Sequence, residues 1–252
     1  MTDLQQGFDA IALDYDRQFN ERPVTQAMRT TVHRWYRHFL RPGQKVLDVA
    51  CGPGPDLAFL LGLGLEVCAI DQSPEMVKRA QSLFPTALYH VMDYNQIGQL
   101  KGPFDAICAN FGGLNTQAQF EDWAQVCFDL LQPQGLLFLN IMTQFCLSEF
   151  VFRCLQLKRP HLRGKKPRTL QVGGFPIETW YFNPYSWYRS AFAKGFDLVL
   201  VQGQGVLLPP PAFPLQPKAL IRLLSGPDRI LGRCYPFNQW GDHALLILRK
   251  RQ

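Results

Sequence analysis

The sequence predicts an α/β protein, an open and mostly parallel sheet with helices on both faces. Three observations carry that prediction. A short apolar run, Val46 to Ala50, breaks at Gly52 and Gly54, and Pro55 to Leu63 then reads as a helix. A second apolar run, Leu65 to Ile70, ends on the carboxylate Asp71. From there helical segments and apolar runs alternate to the C-terminus, the pattern of successive crossovers onto one sheet.

Residues 8–40 read as helices ahead of the sheet. Ala27, Met28, Thr31, Val32, Trp35, Tyr36 and Phe39 recur on a helical period, so one face packs inward. Arg41-Pro42-Gly43-Gln44 is the turn into the first strand. After the second strand, Ser73 is the expected N-cap of a helix over Pro74–Leu83, with proline in its first turn. Leu88–Met92 is the third strand, ending at Asp93, and Phe104–Asn110 the fourth. A helix over Phe120–Leu131 leads through Gln132-Pro133-Gln134-Gly135 to a fifth strand at Leu136–Leu139. A helix over Pro184–Lys194 precedes the sixth strand, Gly195–Val201, and Asp242–Arg249 is the seventh.

Two stretches break the alternation. In the first, 143–182, we expect a helix over Phe145–Leu157, a basic loop, and a short hairpin arm over Thr169–Phe182 around Gly173-Gly174. In the second, 207–240, Leu207-Leu208-Pro209-Pro210-Pro211 stops the strand and a helix follows near Pro217–Leu224. Both leave from the carboxyl ends of parallel strands, the edge where open α/β sheets bind ligands. We therefore expect a single domain, 1–252, whose insertions cover an acceptor site.

A glycine turn followed by an acid-tipped second strand is the nucleoside-binding half of such a sheet. Backbone amides and a helix N-terminus point into the turn, and Asp71 can accept two hydrogen bonds from a ribose diol. A nicotinamide dinucleotide needs a third glycine where this chain has Leu57, and Asp48 would repel a pyrophosphate. The ammonium and sulfonium of S-adenosylmethionine are cationic and suit that carboxylate. The nine residues Val46-Leu47-Asp48-Val49-Ala50-Cys51-Gly52-Pro53-Gly54 closely resemble the first motif of class I S-adenosylmethionine-dependent methyltransferases.

The resemblance continues through Asp93, the Phe104–Asn110 strand, the helix, turn and strand of Leu130–Leu139, and the last two strands. It spans about residues 8 to 251, with 143–182 and 207–240 alike only in position. It implies a Rossmann-like seven-stranded sheet, mostly parallel with an antiparallel last strand, helices on both faces and insertions after the fifth and sixth strands. It also implies S-adenosyl-L-methionine as cofactor and methyl transfer as activity. Phe8 to Asp16 resembles the leading segment of the ubiquinone and menaquinone methyltransferase-like group, in which the pair at Tyr15-Asp16 lies on a lid over the cofactor. The other reading of Tyr15 is a helix-packing aromatic.

By the same resemblance Ala50, Cys51, Gly52 and Gly54 cradle the methionine portion and Asp48 lies near its ammonium. Asp71, followed by Gln72, holds the ribose; Asp93, followed by Tyr94, holds the adenine edge; Asn110 faces cofactor and substrate. Asp93 also reads as an ordinary turn residue. Because the antiparallel seventh strand begins at the ligand edge, Gly241-Asp242-His243 joins the insertions there. If the acceptor is a hydroxyl or a carbon acid, a base must take its proton, and His243 beside Asp242 is the best-placed candidate. His161, Tyr181 and Tyr185 are weaker ones. Trp180, Tyr181, Tyr185, Trp187 and Trp240 are expected as apolar walls or core. In-line displacement from a sulfonium needs alignment more than covalent catalysis, so no triad is expected.

Composition excludes other classes. The chain has 252 residues, 47% of them hydrophobic, and no run of about 18 apolar residues for a membrane span. Met1-Thr2-Asp3-Leu4 starts no secretory leader, so a cytoplasmic location is expected. The 7 cysteines include no C-x-x-C pair, and neither a disulfide framework nor a metal site is expected. The net charge of +6 is local: Lys158, Arg159, Arg163, Lys165, Lys166 and Arg168 carry it, and setting those six aside leaves 20 basic and 20 acidic residues. A solvated loop is the expected role. Peripheral membrane contact competes with it and is not expected. Nucleic-acid binding is disfavoured too, because Asn110-Phe111-Gly112-Gly113 lacks the proline pair with which DNA amino-methylating members grip a flipped base. A small-molecule acceptor is therefore expected, of apolar or aromatic character. An inactive S-adenosylmethionine-binding scaffold or regulator is the alternative, and an RNA methyltransferase a weaker one. The sequence leaves the oligomeric state open.

Overall fold

The computed structural model describes residues 1–157, 162–211, 213 and 215–252. Two helices, α1 (Asp3–Ile11) and α2 (Pro23–Phe39), precede the sheet. Strands and helices then alternate: β1 (Lys45–Val49), α3 (Leu57–Gly62), β2 (Glu66–Asp71), α4 (Pro74–Leu83), β3 (Leu88–Val91), β4 (Phe104–Ala109), α5 (Glu121–Leu130) and β5 (Leu131–Met142). The first insertion supplies α6 (Leu147–Leu155) and a hairpin of β6 (Arg168–Val172) and β7 (Phe175–Thr179). After α7 (Pro184–Trp187) come β8 (Phe196–Gln204), α8 (Lys218–Leu231) and β9 (His243–Lys250).

The main sheet has 7 strands in the order β3-β2-β1-β4-β5-β9-β8. It is parallel from β3 to β5, while β9 runs antiparallel to both β5 and β8. Alternate residues of the central strands feed cores on opposite faces, as two-sided burial requires. Leu47, Val49, Ile70, Ile107 and Leu139 meet Trp123 and Cys127 of α5. Val46, Val67, Ala69 and Phe138 meet Val32 and Tyr36 of α2 and Leu60 of α3. Within α2, Met28, Thr31, Val32 and Tyr36 are buried, as the helical period predicts. The Ser73 hydroxyl accepts the Met76 amide at 3.1 Å and caps α4.

Both insertions close over the carboxyl edge of the sheet. The hairpin packs on α1 so tightly that a Cβ on Gly7 would lie 2.7 Å from the Val172 carbonyl oxygen. Helix α8 seats Ile221 against Val24 and Met28 of α2. Two helices depart from expectation. α3 begins at Leu57, two residues late, and the Asp56 carboxylate at its N-cap position turns to other partners, leaving the helix without a side-chain cap. α8 runs past Leu224 through Pro227 to Leu231, held by buried Asp228, whose carboxylate accepts the amides of Gly205 and Leu207 at 3.2 and 2.7 Å.

Candidate functional site

The loop after β1 is built on positive backbone angles. Ala50, Gly52 and Gly54 have φ of 54°, 55° and 86°. For Ala50 this is strained, costing about 1–2 kcal/mol, and its methyl leaves no room opposite: a Cβ on Gly113 would approach it to 2.6 Å. Gly52 faces open space, whereas Gly54 turns inward, where a Cβ would lie 2.8 Å from Leu57. The loop amide of Gly52 donates to Asp71 Oδ2 and that of Ser73 to Oδ1, both at 2.9 Å. Each carboxylate oxygen thus keeps a lone pair for a further donor. Burial raises the Asp71 carboxyl to about 6, against the pull of the Ser73 and Gly52 amides.

Beneath the loop lie two buried acids in opposite situations. Asp48 is pushed well above the usual carboxylate range by burial, with Asp56 adding repulsion and Arg29 opposing it. No hydrogen bond among the described residues relieves it, so a nearby cation would. Burial also acts on Asp56, but Arg29 at 2.6 Å and His33 at 2.7 Å overcome it and hold that carboxyl well below its ordinary value. Asn110 at the tip of β4 donates its Nδ2 to Asp56 at 2.9 Å and to the Tyr36 hydroxyl at 2.6 Å. Its Oδ1 is buried without a partner.

Above the sheet edge is one cavity of about 1050 Å³. Its sheet side is walled by Ala50, Gly52, Asp71, Gln72, Met92, Tyr94, Asn110 and Gly113. The segment from α1 to α2 roofs it with Phe8, Tyr15, Phe19 and Arg29, and burial pushes the Tyr15 hydroxyl up to about 12. The insertions wall the far end with Phe152, Leu170, Ile177, Tyr181, Pro210, Pro211 and Phe213, beside Arg163, Asp242 and His243. Of the residues singled out in the sequence, Tyr15, Ala50, Gly52, Asp71, Gln72, Tyr94, Asn110 and His243 meet at this cavity. Asp48, Cys51, Gly54 and Asp93 are not on its wall. Asp93 caps a short turn instead, accepting the Asn95 amide at 2.8 Å. Trp180 and Trp187 pack in the core, and Tyr185 accepts a bond from Asn238 at 2.6 Å. His161, Lys158 and Arg159 lie outside the described residues. Arg29 and Met92 were missed: each reaches the wall from an element whose sequence speaks only of packing.

At the far end the basic run is not uniformly solvated. Arg163 is largely buried, with Nε on Glu149 at 3.1 Å, Nη1 on the Asp242 carbonyl at 3.0 Å and Nη2 on the Asp242 carboxylate. The second oxygen of that carboxylate meets His243 Nδ1 at 2.7 Å. Burial would raise the Asp242 carboxyl, but Arg163 and His243 hold it well below the ordinary range. Among the described residues there is no cluster of metal-ligating side chains, and no helix is long and apolar enough to cross a membrane. All seven cysteines are free thiols.

The residues present fit an S-adenosylmethionine-type ligand. Asp71 offers two free lone pairs to a diol, Asn110 an orphaned acceptor, and Asp48 a buried carboxyl that a neighbouring cation would hold ionised. The volume is at the upper end for a single ligand and leaves room for a second reactant.

Residues 46–135 match the profile of a methyltransferase domain family. The Bacillus subtilis protein YqeM, which carries a methyltransferase name, is 28% identical over 152 residues, 58% of each chain. A ubiquinone biosynthesis O-methyltransferase of Xanthomonas campestris is 35% identical over 109 residues, 41% of this chain and 45% of that one. The chain thus matches about half the length of these relatives. The solved structure of Burkholderia thailandensis 1,6-didemethyltoxoflavin-N1-methyltransferase, with bound S-adenosylhomocysteine, superposes with a TM-score of 0.59 at 18% identity, covering 99% of this chain and 88% of that one.

Proposed function

Because this chain carries a class I S-adenosylmethionine-dependent methyltransferase domain, we propose that it transfers a methyl group to a small, apolar or aromatic acceptor by in-line displacement. S-adenosylmethionine is the cofactor of that domain and supplies, when bound, an electrophilic methyl group on a sulfonium. The chain's part is to bind, align and exclude water, which for two held reactants is worth up to ~7–11 kcal/mol of barrier. Asp71 takes the ribose diol, with Gln72 beside it, and the open face of Ala50 and Gly52 takes the amino-acid end. Asp48 lies below that loop, where the cationic end of the cofactor would hold its carboxyl ionised. Tyr94, Met92 and Asn110 line the nucleoside side, with Tyr15 and Arg29 as the roof.

The observation that carries this reading is the continuity of the cavity from Asp71 to His243, which gives cofactor and acceptor one shared chamber. Its far walls set Phe152, Ile177, Tyr181 and Phe213 among charged side chains that include Glu149, Arg153, Arg163 and Arg168, and the aromatic part favours a flat acceptor with an apolar face. Calorimetry with S-adenosylmethionine, followed by tritiated-methyl transfer to a panel of aromatic acceptors, tests the proposal. Micromolar binding with turnover is the expected result. Binding without turnover on any acceptor class would favour a non-transferring binding protein, and no binding would overturn the reading.

A further inference from the structure

We propose that Arg163, Asp242 and His243 form a proton-accepting array at the acceptor end of the cavity, that the acceptor is a hydroxyl compound, and that Arg163 is a positioning residue through which the first insertion enters the chemistry. The proposal rests on the methyltransferase reading and goes beyond it by naming the acceptor atom and the insertion's part.

The array is ordered from the outside inwards. The guanidinium of Arg163 grips Glu149, the Asp242 carbonyl and one oxygen of the Asp242 carboxylate. The other oxygen holds His243 Nδ1 at 2.7 Å. An ionised carboxylate can only accept, so Nδ1 carries a proton, and in the neutral ring that tautomer leaves Nε2 as a lone pair. No hydrogen bond from the described residues reaches Nε2, and His243 is on the cavity wall. The Phe111 ring lies 5.6 Å from the imidazole and has the Arg29 guanidinium over it at 4.3 Å. Neighbouring acids cannot serve instead. Asp242 and Glu149 are taken up by Arg163, and the lone pairs that Asp71 keeps are assigned to the ribose diol.

Such an array suits an acceptor that must shed a proton before it attacks, a hydroxyl or an acidic carbon, and of the two a hydroxyl can donate a hydrogen bond directly to Nε2. A carboxylate is ionised at neutral pH, and a neutral amine attacks through its own lone pair and sheds its proton afterwards. A hydroxyl of phenolic acidity, about 10, stays protonated and is a poor nucleophile until a base takes the proton. The acceptor's O–H bond breaks and its proton passes to Nε2. The electron pair left on oxygen forms the new O–C bond, as the breaking C–S bond returns its pair to sulfur.

The first test needs no acceptor. Two-bond proton–nitrogen spectra of the full chain, with the signal identified by its loss in His243→Gln, should give the Nδ1–H form of the neutral ring. Arg163→Gln should mix the two tautomers. Asp242→Asn, which presents a donor to Nδ1, should drive the ring to Nε2–H, and it serves where Arg163→Gln does not fold. An Nε2–H ring in the parent protein would overturn the proposal. The second test pairs 2-naphthol with 2-naphthylamine, within a wider panel of matched phenols and anilines. Transfer to hydroxyl members is expected, with kcat falling about 100-fold or more in His243→Gln and about 10-fold in Arg163→Gln, KM changing little. The loss should shrink as pH rises towards the phenol's own acidity, with Asp242, Arg163, Glu149, Cys146 and Tyr181 as the other titrating or charged groups near the ring. Transfer to amines alone, an unchanged His243→Gln kcat, or no transfer to any hydroxyl while S-adenosylmethionine binds would sink the proposal. Failure to bind S-adenosylmethionine would instead sink the methyltransferase reading.

Discussion

At Asp71 each carboxylate oxygen spends one lone pair on a backbone amide and keeps one for a ligand. Removing the side chain leaves two ribose hydroxyls unpaired, about 1–3 kcal/mol. Calorimetry on Asp71→Ala should therefore give an S-adenosylmethionine affinity weaker by about 5- to 150-fold, and an unchanged value would remove Asp71 from the site. The pH dependence has a definite sign. The folded carboxyl lies at about 6, above its ordinary value, so its favourable contribution to stability is complete below about 4 and is lost as pH rises through 6. Ligand hydroxyls need the ionised form, so affinity should fall as pH drops below about 6. Asp56 behaves oppositely. Burial is overcome by Arg29 and His33, so its contribution is present above the ordinary carboxylate range and is lost as pH falls below it. Asp56→Ala would strand Arg29 and should cost about 3–5 kcal/mol in denaturant unfolding; a loss below 1 kcal/mol would mean that solvent already satisfies the guanidinium.

At the scale of elements, what the sequence made legible is what local pattern determines. Apolar runs and their acid tips located the seven strands of the main sheet, and Ser73-Pro74 located the start of α4 because capping is a contact over three residues. Elements governed by distant partners were read poorly. The sequence reads a helix from Pro55, yet α3 starts at Leu57, and the carboxylate of Asp56 at its N-cap position is held by Arg29 and His33, 27 and 23 positions away. The sequence reads a helix near Pro217–Leu224, yet α8 continues to Leu231, where Asp228 binds a loop some 20 residues upstream. Asp228→Ala should therefore release residues 205–208 and cost about 1–3 kcal/mol. Hydrogen exchange at the Gly205 and Leu207 amides checks this, and unchanged protection would assign the extra turns to packing of Ile221 alone.

At the scale of the whole molecule, topology delivers three distant segments to one sheet edge, and the sequence permits that inference from strand direction alone. Which side chains then face the cavity depends on packing that no periodicity encodes. Trp180 is the instructive case: a large aromatic in the arm, it faces the core, while Tyr181 next to it faces the cavity. The basic run divides in the same way, with Arg163 folded inwards although its neighbours Lys165 and Lys166 are exposed. The two insertions are joined over the cavity by Phe152 and Phe213, whose ring centroids are 4.1 Å apart. Such a pair contributes about 0.5–1.5 kcal/mol beyond its buried area. If the insertions hold the acceptor and the β1 loop holds the cofactor, Phe152→Ala should raise acceptor KM roughly 2- to 10-fold and leave S-adenosylmethionine affinity within about twofold. Steady-state kinetics beside calorimetry separates the two quantities. Equal loss of both affinities would mean that the insertions close the cofactor half as well, and that the cavity works as one compartment rather than two.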